Sequence, residues 1–155
     1  MTTSDPRAKP RMSGIGRVLV AVYGVLALAA LGRSFVQIAG KFDEAPLAYT
    51  LSAVSAVVYV VATIALIKSG RGWYRVAWVT IVFELVGVLT VGTLSILAPE
   101  LFGHPSVWSY YGNGYLFIPL VLPVLGIWWL AAHRPRGEAR AEGASPASTA
   151  DGVEA

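Results

Sequence analysis

Two ionisable side chains, Glu84 and Arg33, stand inside long apolar runs of a 155-residue chain, and chemistry would concentrate there. A charge among lipid-like surroundings is expensive and persists only with a partner or a task. Glu84 lies nine residues past Arg75, which at helical rise is about 13 Å into a bilayer and near its midplane. Helical spacing puts Trp73, Ala77, Thr80, Glu84, Gly87, Val91 and Ser95 on one stripe of small and weakly polar residues, suited to the inside of a bundle. Tyr59, or Ser55, on the preceding helix is the expected donor to Glu84 at that depth. Two roles fit such a carboxylate. It can bind a proton or cation, or it can fasten helices together as a hydrogen-bonded clasp. With one carboxylate and no second charged relay, the fastening role is the expected one.

Arg33 lies sixteen residues past Arg17, about 24 Å in by the same rise and so toward the opposite surface. Gln37 follows one turn later, with Ala29, Leu26 and Val22 on the same stripe. The depth gap to Glu84, roughly 10 Å, is too large for a comfortable ion pair. In the fourth run Pro119 and Pro123 each remove a backbone donor, which predicts a kinked helix with freed carbonyls at Tyr115 and Pro119. Arg33 is expected to satisfy those carbonyls, or else to snorkel to the headgroups.

The elements that position these residues are four apolar runs, at about 18–39, 47–67, 73–97 and 115–132. Each approaches the roughly 20 residues that cross a bilayer as a helix. None alternates with the period of two that a membrane strand would need. The expected fold is therefore all-α, a polytopic membrane protein whose four transmembrane helices form an antiparallel bundle over 15–133. The tails 1–14 and 134–155 lack the apolar content to offset ordering entropy and are expected to be disordered and cytoplasmic. Basic residues ahead of the run 18–31 and the string Ala27-Leu28-Ala29-Ala30 also resemble a signal peptide. Apolar character resumes at Phe35-Val36, so a retained helix is expected.

Composition agrees. The chain is 55% hydrophobic and 14% charged, far from an ordinary soluble enzyme. Ten of its twelve basic residues, Arg7, Lys9, Arg11, Arg17, Lys68, Arg71, Arg75, Arg134, Arg136 and Arg140, fall on one side of the four runs. Only Lys41 and Arg33 fall toward the other, so both termini are expected in the cytoplasm. The aromatic loop 99–115, with Phe102, Trp108, Tyr110, Tyr111 and Tyr115, is expected to lie in the outer interface, or to act as a lid or docking surface for a lipid or partner protein.

No cysteine is present, and the two histidines, His104 and His133, fall at opposite surfaces. No paired-histidine haem site, Glu-x-x-His di-iron site, phosphate loop or nucleophile elbow is written in the chain. No cofactor, metal or enzymatic activity is expected, and the basic residues read as topology signals rather than nucleic-acid contacts. The segments Ser106-Val107-Trp108-Ser109-Tyr110-Tyr111-Gly112 and 117–126 (FIPLVLPVLG) resemble small integral membrane proteins of high-GC actinobacteria. That resemblance implies a location in a bacterial plasma membrane and no activity. The expected role is a structural or accessory subunit, partnered by the lipid bilayer and by copies of itself or another membrane protein. The alternative is a small proton- or cation-coupled transporter or channel component using Glu84.

Overall fold

The computed structural model describes residues 14–134. Apart from Gly14 and Arg134, the two tails expected to be disordered, with Arg7, Lys9, Arg11, Arg136 and Arg140, lie outside the described residues. The described chain is helical and contains no strand. Its α-helices are α1 (Gly14–Lys41), α2 (Pro46–Ile67), α3 (Arg71–Leu97) and α4 (Ile118–Ala132). Three of them are long and apolar enough to cross a membrane, and a fourth span exists if α4 is joined to the bent segment before it.

The connections follow from local chemistry. A single 3-10 turn, Phe42–Glu44, leads into α2, whose first residue Pro46 loses nothing by lacking a donor there. Between α2 and α3 the chain turns at Gly70 with φ of 126°, a conformation that strongly favours glycine. The α3–α4 connection behaves differently. After a 3-10 turn at Pro99–Leu101, the chain turns back onto α3 as a re-entrant segment, residues 98–117, whose run Ser109–Tyr115 meets α4 at 99°. Tyr110, Tyr111, Leu116 and Phe117 all have φ between 51° and 59°. Left-handed backbone costs a residue with a side chain about 1–2 kcal/mol, so packing must hold this segment in place.

The proline expectation is corrected here. Helix α4 begins at Ile118, so Pro119 sits in its first turn and kinks nothing, while Pro123 alone lies within the helix. The predicted fourth run, 115–132, thus shortens to fifteen residues of α-helix. Helix α1 is longer than its apolar run at both ends.

Helix packing relies on small residues. The buried face of α2 carries Ala48, Ser52, Ser55, Ala56, Ala62 and Ala65, which allow close backbone approach to its neighbours. Helix α1 packs most extensively on α2; α3 lies against both α2 and α4; α1 touches α4 more lightly. Trp129 of α4 reaches α1 where Gly16 leaves room, since a Cβ there would lie 2.7 Å from the indole. The Tyr74 hydroxyl ties α3 to α4 by donating to the Leu130 carbonyl at 3.0 Å. The outward faces are largely apolar: Val25, Leu28, Phe35, Val79, Val86 and Leu97 are all at least half exposed.

Candidate functional site

Glu84 is fully buried at the middle of α3, with Ala77, Thr80, Val91 and Ser95 buried along the same helix. The predicted stripe is therefore the inward face, because helical period is local and survives folding. Its partner is not the expected one. Tyr23 of α1 donates its hydroxyl to Glu84 Oε2 at 2.7 Å. The other carboxyl oxygen, Oε1, is buried with no hydrogen-bond partner.

Tyr59 is also fully buried, with its ring centroid 6.3 Å from that of Tyr23. Its hydroxyl accepts a hydrogen bond from the Trp108 indole N–H at 3.0 Å. Ser55, the other expected donor, gives its hydroxyl to the Ser52 carbonyl within its own helix. The buried threonine and serine hydroxyls of α3, at Thr80 and Ser95, likewise bond carbonyls four residues back. These hydroxyls thus satisfy themselves locally, whereas the Tyr23 phenol reaches across to Glu84.

Trp108 is 2% exposed, so its side chain lies in the core and not in an interfacial loop. Its ring fills the gap at Gly87, where a Cβ would stand 2.7 Å away, and meets Phe83 edge-on. Tyr111 similarly fills the gap at Gly92 and bonds the Thr93 hydroxyl at 3.0 Å. Behind them Gly112 packs on Pro119. Gly126 of α4 passes the Tyr23 hydroxyl so closely that an added Cβ would be 3.6 Å from it. A chain of contacts runs outward from Glu84: Tyr23 of α1 bonds it, Tyr59 of α2 lies beside Tyr23, Trp108 bonds Tyr59, and Gly126 of α4 lies beside the Tyr23 hydroxyl.

Arg33 does not reach the carbonyls of Tyr115 and Pro119. Its Nη2 donates to the Pro105 carbonyl at 2.6 Å, anchoring the start of the re-entrant segment to α1. The reason lies in α4: with Pro119 in the first turn there is no freed ladder at that depth to satisfy. Arg33 Nε, Ser34 Oγ and Gln37 Oε1 are buried near this anchor without partners. A second tether is His104, stacked on Tyr49 at 6.2 Å and 3.6 Å from Glu44, which also pairs with Lys41 at 3.7 Å. A cavity of about 60 Å³ opens beside these tethers, with Ser95, His104, Pro105 and Ser109 in its wall.

The structure thus brings Glu84 and Tyr59 into one buried group, places Arg33 and Gln37 apart at one end, and puts Pro119 and Pro123 in the wall of α4. Sequence reasoning missed Tyr23 and Trp108. Tyr23 was legible as a lone polar tip in the middle of an apolar run, at a depth comparable with Glu84. Trp108 was legible only through the unfilled Gly87 and Gly92 on the facing helix. No group of three or more histidine, aspartate or glutamate side chains able to hold a metal occurs among the described residues. Comparison with protein-family models, with curated proteins and with solved structures finds no match.

Proposed function

We propose that this chain is a multi-pass protein of a bacterial plasma membrane, with the Arg17, Lys68, Arg71 and Arg134 ends facing the cytoplasm, acting as a structural or accessory subunit of a larger membrane assembly. The observation that carries this reading is the pairing of an apolar outer surface with a closed polar centre. Phe35 is 75% exposed and Leu97 is equally so, whereas Glu84 is wholly enclosed and tied across helices by Tyr23. A carboxyl held this way fastens α3 to α1, as a clasp should. Four helices are few to enclose a substrate path alone, which favours association with further copies or with a larger membrane protein. Purification from native membranes in mild detergent tests it: a stoichiometric membrane partner or a defined homo-oligomer is expected, and a monodisperse lone chain would overturn it.

One observation favours a second reading, in which Glu84 binds a proton or small cation. Its Oε1 is buried with no partner, and a buried polar atom left unpaired costs about 1–3 kcal/mol, which a bound ligand would recover. Infrared difference spectra of the purified protein should show a carboxyl band that moves with acid or sodium and is missing in Glu84→Gln. A band that never moves would remove this reading and leave the clasp.

A further inference from the structure

Opposite its buried face, α3 carries a groove of about 460 Å³ lined by Trp78, Val79, Val82, Phe83 and Val86. At about 100° per residue, Trp78 and Phe83 stand about 140° apart around the helix, with the three valines between them. The aromatic rings are therefore walls and the valines a floor. Both walls are braced from behind. Trp78 meets the Tyr74 ring edge-on with centroids 6.5 Å apart, and Tyr74 is itself bonded to the Leu130 carbonyl. Phe83 meets the ring of buried Trp108 edge-on at 6.3 Å. Valine in a helix keeps one strongly preferred rotamer, so the floor is stiff as well. The groove is pre-formed.

Its mouth is basic. Arg75 lies on the midline of the same stripe, three residues before Trp78, and Arg71 stands one turn earlier. Both are exposed, and neither makes an ion pair among the described residues. In the turn just before them, Lys68 sits over the Trp73 ring at 4.4 Å. Apart from buried Glu84, the described acidic residues Asp43, Glu44 and Glu100 belong to the opposite end of the helices. Long basic side chains at a helix end reach outward to the headgroups while their stems stay among hydrocarbon. Depth agrees: Arg75 to Val86 is eleven residues, about 16 Å of helix, or half of a hydrocarbon core of about 30 Å. The groove thus runs through one leaflet and stops near the middle. A helix from another chain would cross both leaflets, whereas an acyl chain occupies one. Lipid tails are as apolar as the valines, so hydrocarbon contact alone selects no particular lipid, and selection falls to headgroup charge.

We propose that this groove seats an anionic phospholipid, its phosphate on Arg71 and Arg75 and one acyl chain along Val79, Val82 and Val86 between the rings of Trp78 and Phe83. The proposal rests on the membrane-spanning reading of the chain and adds to it a bound lipid of stated charge, its leaflet and its seat. In the proposed orientation that leaflet is the cytoplasmic one. Basic charge at the mouth attracts the headgroup. The braced walls spare the side-chain ordering that a flexible surface would need on binding.

Full-length protein in phosphatidylcholine vesicles tests this, with phosphatidylglycerol and phosphatidylcholine brominated in mid-chain as quenchers of tryptophan fluorescence. The difference between the parent and Trp78→Phe isolates the Trp78 signal. Brominated phosphatidylglycerol should quench that signal at a mole fraction about tenfold lower than brominated phosphatidylcholine does. Replacing both arginines, Arg71→Gln with Arg75→Gln, should abolish the preference. Val82→Trp fills the groove and leaves its basic mouth intact, and native mass spectra of the detergent-purified variant should show loss of the phosphatidylglycerol that the parent retains. Equal quenching by the two lipids would overturn the proposal, as would a preference that survives the loss of both arginines or a lipid still held by Val82→Trp. Val82→Cys chains that cross-link to one another in the vesicles would give the groove to a second copy and overturn it too. Quenching by neither lipid rejects the membrane-spanning reading as well, whereas equal quenching rejects the lipid seat alone.

Discussion

Replacing Tyr23 by phenylalanine would strip Glu84 of its one hydrogen-bond donor while changing the packing by a single oxygen. A buried acceptor left unpaired costs about 1–3 kcal/mol, more where it is charged. Tyr23→Phe should therefore lower thermal stability in detergent by that amount, and the loss should shrink clearly in a Glu84→Leu background, where no carboxyl remains to be orphaned. Additive effects in that double-mutant cycle would refute the clasp. Tyr59→Phe should be milder, since it deprives only a neutral indole donor. The choice between Tyr23 and Tyr59 was not readable from the chain. Both phenols stand at workable depth, and which one faces Glu84 depends on how α1 and α2 rotate about their own axes, a tertiary fact. The position of Glu84 on the inward stripe was readable, because it depends only on helical period.

Among the elements, the re-entrant segment departs furthest from expectation. An aromatic-rich loop and an aromatic-rich plug have the same composition; the difference lies in Gly87 and Gly92, whose missing side chains admit Trp108 and Tyr111. Filling those gaps should be graded by what the new methyl meets. Gly92→Ala meets the Tyr111 backbone nitrogen at 2.8 Å and should cost the most, in the range of about 1–3 kcal/mol for overpacking. Gly87→Ala meets the edge of the Trp108 ring, which can shift, and should cost less. Gly24→Ala meets nothing within 4 Å and should be neutral or slightly stabilising. Thermal unfolding of the three variants gives the order directly. The Arg33 anchor is tested at the same scale: Arg33→Leu should free the Pro105 end of the segment and speed proteolytic cleavage within 98–117 at least severalfold. An unchanged cleavage rate would leave Arg33 a snorkelling side chain. The misplaced proline kink has a similar origin, since a proline reads as a break or as a beginning depending on where its helix starts.

For the whole molecule, the absence of cysteine makes orientation easy to measure. A single cysteine at exposed Ser69 should react with a membrane-impermeant maleimide only after the membrane is opened, and one at exposed Asn113 should react on intact cells. The reverse pattern would invert the proposed topology. That three or four helices are apolar and long enough to span was legible because apolar length is a property of the run itself, whereas the shortening of the last helix depended on the loop packing against α3. That shortening reaches the bilayer. Fifteen residues of α4 make about 22 Å of helix, while α1 and α3, at 28 and 27 residues, exceed 40 Å. A hydrocarbon core of about 30 Å therefore meets too little α-helix on one flank and ample length on the other. In a membrane, lipid beside α4 would have to thin or the whole body would lean toward it, so this protein would favour a bilayer of uneven height and deform a thick one locally.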